Sequence, residues 1–127
     1  HDDFEATKQG LHTMLTGWGY MAVRYTRVEY CGQRDIIGRY CLHFHLLDHC
    51  PSCVFKGNAV HDSQQNGIVV HGTHDSLVEE NVIFDAVGTG IYIEDGNEMH
   101  NVIRRNVMIC SWYEKCSEMW LGQHMFA

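Results

Sequence analysis

The 127-residue sequence predicts an all-β fold, a right-handed parallel β-helix (solenoid) of about four to five coils. Three observations predict it: a repeat with a period near 23 residues, two-residue alternation of apolar side chains within each repeat, and turn residues bounding every alternating stretch.

The repeat comes first. Laying Cys53 to Asp75 over Ser76 to Glu98, a shift of 23, places Asn58 on Asn81, Asp62 on Asp85, Gly67 on Gly90 and Ile68 on Ile91. Val54, Val60 and Val70 then fall on Leu77, Ile83 and Ile93. A further shift of 25 carries Asn81 onto Asn106, and Leu77, Val78, Val82 and Ile83 onto Val102, Ile103, Val107 and Met108. Backward, a shift of 32 puts Val60 on Val28 and Val54 on Ala22, with Thr26 in the asparagine's place and the extra residues in the turn Cys31 to Tyr40.

Within the repeats, Ile68-Val70 and Ile91-Ile93 alternate with other residues, the pattern of a half-buried strand. Asn66-Gly67, His71-Gly72, Gly88-Thr89-Gly90 and Asp95-Gly96 mark the turns. Coils stacked at about 4.8 Å bring equivalent residues together, so Asn58, Asn81 and Asn106 predict an internal amide ladder. The plainer reading makes them separate turn residues that tolerate left-handed backbone. A stack this short has two open sheet ends. No amphipathic cap is evident from Asp2 to Gln9, and helical spacing arises only at Trp112 to Trp120, within an irregular end or cap over 111–127.

Length bounds the chain 1–127 to a single β-helix segment. It starts at His1 with no signal-like stretch after it, and is read as a processed product or part of a longer chain. No apolar run is long enough for a direct membrane span. A formal charge of −7, with only Arg104-Arg105 as adjacent basic residues, argues against nucleic acid as a partner. Six cysteines allow three bridges with 15 connectivities. Disulfides of an oxidising compartment lead, with free thiols and zinc as alternatives, the latter because Cys50-Pro51-Ser52-Cys53 has ligand spacing. At least one of Cys50 and Cys53 is expected to be bridged, with Cys41 or Cys31 as the nearest candidates. No Asn-x-Ser/Thr sequon supports the extracellular reading.

If Ile68, Val70, Ile91 and Ile93 point inward, then Val69, His71, Tyr92 and Glu94 point outward. Leu42 and Phe44 inward put His43 and His45 outward in the preceding coil. His45, His71 and Glu94 form one external column beside His43, Val69 and Tyr92, with Asp95 following at the turn.

The same residues carry a resemblance. Gly38-Arg39-Tyr40-Cys41-Leu42-His43-Phe44-His45 resembles the Gly-Arg-Tyr-Pro-x-His-Phe-His motif of the cell-migration-inducing hyaluronidase family and its fibrocystin-like surface-protein relatives. Val70-His71-Gly72-Thr73 and Ile93-Glu94-Asp95-Gly96 resemble that family's next two coils, Gly10-Leu11-His12-Thr13-Met14 its Gly-His-x-Met element, and Gly32-Gln33 its Gly-Gln turn. The likeness covers residues 10 to about 110. Cys41 departs from the family's proline, and the Cys50-to-Cys53 loop is a second departure that suggests a local disulfide. The resemblance implies the β-helix part of a large extracellular or cell-surface protein and, for some members, hyaluronan depolymerisation.

Glycan cleavage ordinarily uses two carboxyl groups about 5 to 9.5 Å apart. Glu94 and Asp95 are the only acidic pair on the column, and as neighbours on opposite sides of a pleat they can cooperate only if the turn redirects Asp95. His71 beside them would orient Glu94 or shuttle a proton, giving Glu94, Asp95 and His71 as catalytic candidates. Arg39, His43 and Tyr92 are the candidate substrate contacts, and Arg39, Arg24 and Lys56 a candidate positive strip. A straight ladder of His45, His71 and Glu94 spans about 9.6 Å, too far for one ion. His43, His45 and His71 are the easier ligand set for a divalent metal ion. The alternative is a plain polar outer face. Trp18, Tyr20, Tyr25 and Tyr30 are read as packing before sugar stacking. The functional expectation is thus an extracellular glycan-engaging module of a larger parent chain. The competing one is a structural or assembly module of a surface filament or matrix that meets neighbouring β-helix units.

Overall fold

The computed structural model describes residues 3–111. The chain winds through β1 (Ala22–Arg24), β2 (Arg27–Cys31) and β3 (Leu42–His49), then β4 (Val54–Lys56), β5 (Ala59–Ser63) and β6 (Ile68–His74). A third coil holds β7 (Leu77–Glu79), β8 (Val82–Ala86) and β9 (Ile91–Ile93), and β10 (Val102–Arg104) and β11 (Val107–Ile109) open a fourth. Every strand pairs in parallel with its equivalents, forming the sheets β1-β4-β7-β10, β2-β5-β8-β11 and β3-β6-β9. The register follows the sequence repeat residue for residue: Ala22 beside Val54, Val54 beside Leu77, Leu77 beside Val102, and Val28 beside Val60. Parallel bridges from Leu11 to Cys31 and from Leu15 to Phe44 add part of a coil before β1. The chain is a parallel β-helix.

The inward rows fill the core. Leu42, Phe44, Ile68, Val70 and Ile91 are fully buried, and the Phe44 and Phe55 rings stack with centroids 3.8 Å apart. Burying each such side chain contributes about 1.5–3 kcal/mol. The corner between the first two sheets repeats a single device. Tyr25, Gly57, Glu80 and Arg105 all take left-handed backbone, with φ of 52°, 66°, 58° and 57°. That conformation strains any residue with a Cβ, so the next residue compensates. The Asn58 Oδ1 accepts from the Thr26 N–H at 3.1 Å, Asn81 Oδ1 from the Asn58 N–H at 3.0 Å, and Asn106 Oδ1 from the Asn81 N–H at 2.9 Å. Their amide nitrogens donate to Val23, Phe55 and Val78 carbonyls. The amide ladder is therefore real, and Thr26 ends it.

Two expectations are corrected. The stretch near the N-terminus does contain a short helix, α1 (Phe4–Thr7), whose Phe4 is buried edge-on against Tyr30 of the edge strand β2 at 5.2 Å. A single large apolar side chain, Phe4, gave no periodic signal for it. Cys50 and Cys53 are bridged as expected, but to each other, as the loop's local disulfide suggested, and not to Cys31 or Cys41, which bridge one another, with S–S distances of 2.08 and 2.04 Å. The short loop already holds the Cys50 and Cys53 Cα atoms 5.4 Å apart, within ordinary disulfide reach, so neither needs a distant partner. Cys110 is also disulfide-bonded, and no described cysteine is free for zinc. The expected end or cap at 111–127, with Trp112, Tyr113 and Trp120, lies outside the described residues except for Ser111.

On the β1-β4-β7-β10 face, Arg24, Lys56, Glu79 and Arg104 stand in one row. Glu79 accepts from Lys56 Nζ at 2.8 Å and Arg104 Nε at 2.6 Å, with its side chain only 3% exposed. The Lys56 hydrogen bond holds the Glu79 carboxyl below its ordinary 4.5 in spite of burial, and Arg104 adds to that. A depressed carboxyl contributes its stability in full above its unfolded value, and loses it as pH falls through the folded value. Thermal midpoints followed from about pH 6 to about pH 3 should therefore drop below pH 4.5, and Glu79→Gln should flatten that part of the profile.

Candidate functional site

The β3-β6-β9 sheet assembles the site. Its register places His43 beside Val69 and Val69 beside Tyr92, with His45 beside His71 in the next row. The Glu94 N–H donates to the Val70 carbonyl at 3.1 Å just past β9, which extends the His45–His71 row by one coil.

These rows do not form the plain polar face that alternation alone suggests. His43 and Val69 have no exposed surface. Residues 32–40, closed at their base by the Cys31–Cys41 disulfide, provide the cover. The Tyr40 ring packs 4.8 Å from the His43 ring, and the Gly38 carbonyl lies 3.1 Å from His43 Nδ1. A carbonyl can only accept, so Nδ1 carries the proton and the Nε2 lone pair faces the other way. That Nε2 is buried and has no hydrogen-bond partner.

His71 is the hub. Its Nδ1 lies 3.0 Å from His45 Nδ1 and 3.5 Å from Glu94 Oε2, while its Nε2 lies 3.1 Å from Asp95 Oδ2. The bend after β9, with Gly96 at φ 76°, turns Asp95 back toward the sheet. Glu94 and Asp95 thereby reach the two nitrogens of one imidazole, as the redirected-turn condition required. Glu98 braces the bend. Its Oε1 accepts the Gly72 N–H at 2.9 Å and the Asp95 N–H at 3.2 Å, and these and other backbone donors hold its carboxyl below the usual range against burial. The Glu94 carboxyl faces the Tyr40 hydroxyl through Oε1 at 3.5 Å, while Oε2 is buried and has no hydrogen-bond partner.

Burial pushes the His43 imidazole down to about 4 against the Gly38 hydrogen bond, and His45 and His71 add to the fall. His45 is lowered by burial and then by His71, and the Tyr40 hydroxyl is raised by burial with Glu94 contributing. One ligand atom from each of His43, His45 and His71 lies within 4.8 Å of the others. Among the described residues this is the one group of histidine, cysteine or carboxylate side chains so placed.

The other candidates lie farther out. Tyr92 is half-buried at the end of the His43–Val69 row. Arg39 is exposed, with Nη1 3.1 Å from His12 Nε2, and burial and then Arg39 lower that imidazole. Lys56 is engaged by Glu79 and Glu80, which leaves no simple positive strip of Arg24, Lys56 and Arg39. Trp18 and Tyr20 are exposed, contrary to their reading as packing residues, whereas the Tyr25 ring lies over Gly57 and Tyr30 packs against Phe4. Tyr40 was not singled out from the sequence. Its only signal is its place in Gly38-Arg39-Tyr40, three residues before His43, where strand alternation no longer applies.

The cover has a testable consequence. Replacing Cys31 and Cys41 together by serine should destabilise the segment by about 2–3 kcal/mol, as expected for opening a loop of this size. It should also make the His43 imidazole N–H exchange measurably faster by NMR. Unchanged exchange would mean that the loop holds its place without the bridge.

The model of the CEMIP β-helix family matches residues 8–121, which include every described strand and the whole histidine cluster. The chain belongs to the CEMIP β-helix family. This CEMIP β-helix is 37% identical to Fibrocystin-L of Mus musculus over 102 residues, 78% of this chain and 2% of that protein. It is 35% identical to Fibrocystin-L of Homo sapiens over 97 residues, 76% of this chain and 2% of that one. With cell surface hyaluronidase CEMIP2 of Homo sapiens it shares 32% identity over 115 residues, 82% of this chain and 8% of that protein. The CEMIP β-helix chain thus spans only a small part of the length of these relatives. No solved structure gives a significant match.

Proposed function

We propose that this CEMIP β-helix engages glycan at the His71–Glu94–Asp95 face, as part of a larger extracellular or cell-surface protein with hyaluronidase-like activity. The observation that carries the reading is Glu94, whose Oε2 is buried without a hydrogen-bond partner beside His71 Nδ1. A carboxyl kept from water next to an imidazole is suited to moving a proton, and the more exposed Asp95 supplies the second carboxylate that glycan cleavage ordinarily needs. His71 stands between the two, with Glu94 at its Nδ1 and Asp95 at its Nε2. Arg39 and Tyr92 border the face and are the groups for contacting an acidic sugar chain, while His43 supports it from beneath. The likeness to a cell surface hyaluronidase and the disulfides agree with this reading.

The test is incubation of the complete parent protein with high-molecular-mass hyaluronan, followed by chain length from light scattering. Progressive shortening is expected. A parent protein inert on hyaluronan and on other uronic-acid glycans would overturn the proposal. A second reading, an assembly module, draws on Val102, Val107 and Ile109, all exposed on the fourth coil. It requires self-association in sedimentation experiments that Val107→Asp removes.

A further inference from the structure

We propose that His43, His45 and His71 form a binding centre for one divalent cation of the zinc class, with Asp95 as the residue that orients His71 toward it.

The argument starts from tautomers. A neutral imidazole offers one donor and one lone pair, and the group that takes its proton decides which nitrogen can bind a cation. The Gly38 carbonyl takes the His43 Nδ1 proton and leaves Nε2 as a bare lone pair, buried and unpartnered. Asp95 takes the proton of His71 Nε2 at 3.1 Å and leaves Nδ1 as the lone pair, facing His45 Nδ1. Each partner acts as the outer support that ligating histidines characteristically have, a backbone carbonyl in one case and a carboxylate in the other. A cation gives the His43 nitrogen the partner it lacks.

Distance agrees. Nitrogens sharing a tetrahedral ion at about 2.05 Å stand roughly 3.3 Å apart. The His45 and His71 Nδ1 atoms are already 3.0 Å apart, and all three ligand atoms lie within 4.8 Å. Small rotations of the partly exposed His45 and His71 rings close the set. Without an ion the His45 Nδ1–H donates to the His71 Nδ1 lone pair, and with one the His45 proton moves to Nε2, so that both Nδ1 lone pairs face the cation. Three neutral imidazoles favour zinc-class ions over calcium or magnesium, which prefer oxygen donors. Three ligands leave a fourth position open to solvent or a sugar hydroxyl, and Glu94 Oε2, 3.5 Å from His71 Nδ1, borders it. The centre does not rest on the glycan reading: an inert parent protein would still bind the ion.

The experiment uses the complete parent protein, stripped with chelator and titrated with Zn²⁺ by calorimetry, with Co²⁺ absorption as a second readout. Comparing titrations of the parent and of variants that retain the parental circular dichroism isolates this centre from any other. His71→Ala should remove one equivalent and the tetrahedral Co²⁺ bands, as should His45→Ala. Asp95→Asn should weaken that equivalent by about 10–100-fold although it touches no ion. His61→Ala, away from the cluster, should leave it unchanged. His43→Gln, chosen over alanine to leave no cavity at this buried position, should weaken the same equivalent. Absence of a stoichiometric Zn²⁺ site sensitive to both His45→Ala and His71→Ala would overturn the proposal, as would Co²⁺ bands that survive both. Normal binding in Asp95→Asn would remove the orienting role.

Discussion

Asn81→Ala should destabilise the coil stack by about 3–5 kcal/mol, a large share of a typical domain's total stability. Asn81 is fully buried, and its side chain bonds to four groups, one of them Asn106 Oδ1 at 3.0 Å from its Nδ2. Its Oδ1 accepts the Asn58 backbone N–H and the Asn58 amide, each at 3.0 Å, and its Nδ2 donates to the Phe55 carbonyl at 2.9 Å. Alanine removes the partner of the Asn58 backbone N–H and of the Phe55 carbonyl where water cannot replace it, while the Asn58 amide keeps only its bond to Val23, and each orphaned group costs about 1–3 kcal/mol. The same change at Asn106 should cost less, about 1–2 kcal/mol, because Asn106 is half-buried in the last described coil and water reaches it more easily. Denaturant midpoints of the two variants measure the difference. Equal effects would show that the asparagines act as separate turn residues rather than as a ladder.

That ladder was legible in the sequence because it depends only on a period. Shifts of 32, 23 and 25 residues that bring like residues together are a direct record of coil stacking, and the observed register reproduces each of them. Alternation was equally reliable for Leu42, Phe44, Ile68, Val70 and Ile91, since a strand side chain has only two directions to point. What periodicity cannot report is an excursion from the repeat. The nine residues between Cys31 and Cys41 obey no period, so nothing forecast that Tyr40 and Gly38 would return over His43 and make an outward-facing residue a buried one. The local Cys50–Cys53 bridge was suggested by that loop's departure from the family pattern, but Cys31–Cys41 was obscure for the same reason as the cover, because it depends on the path of the loop between them.

The site was legible in part. Its rows, His45 with His71 and His43 with Val69 and Tyr92, follow from strand register. The closeness of His43, His45 and His71 follows as well, since they lie on two adjacent strands, but the approach of Asp95 to His71 does not, because a straight ladder through His45, His71 and Glu94 spreads over two coil spacings. The structure departs from that ladder at the bend after β9, which brings Asp95 onto His71, and at the loop 32–40, which lays Tyr40 over His43. Both depend on irregular backbone, whose course is set by specific hydrogen bonds such as those of Glu98 to Gly72 and Asp95.

Glu94→Gln should reduce glycan cleavage by the parent protein by about 10²–10⁴-fold, the usual contribution of a proton-transferring side chain, with little change in stability. The amide is nearly the same shape, so it opens no cavity and adds no strain. Its oxygen can still accept from the Tyr40 hydroxyl as Oε1 does, and its NH₂ replaces an Oε2 that had no hydrogen bond to lose. What disappears is the ability to hold and release a proton beside His71. Asp95→Asn should also lower cleavage, because it removes the second carboxylate and the partner that orients His71. Asp62→Asn, on a turn elsewhere in the coil, should leave the rate unchanged. Ion binding read in the same Glu94→Gln protein separates two roles for this carboxyl: retained ion with lost cleavage assigns it to proton transfer, and loss of both makes it a ligand. Cleavage by Glu94→Gln at the parental rate would take Glu94 out of the chemistry and return the face to a binding role.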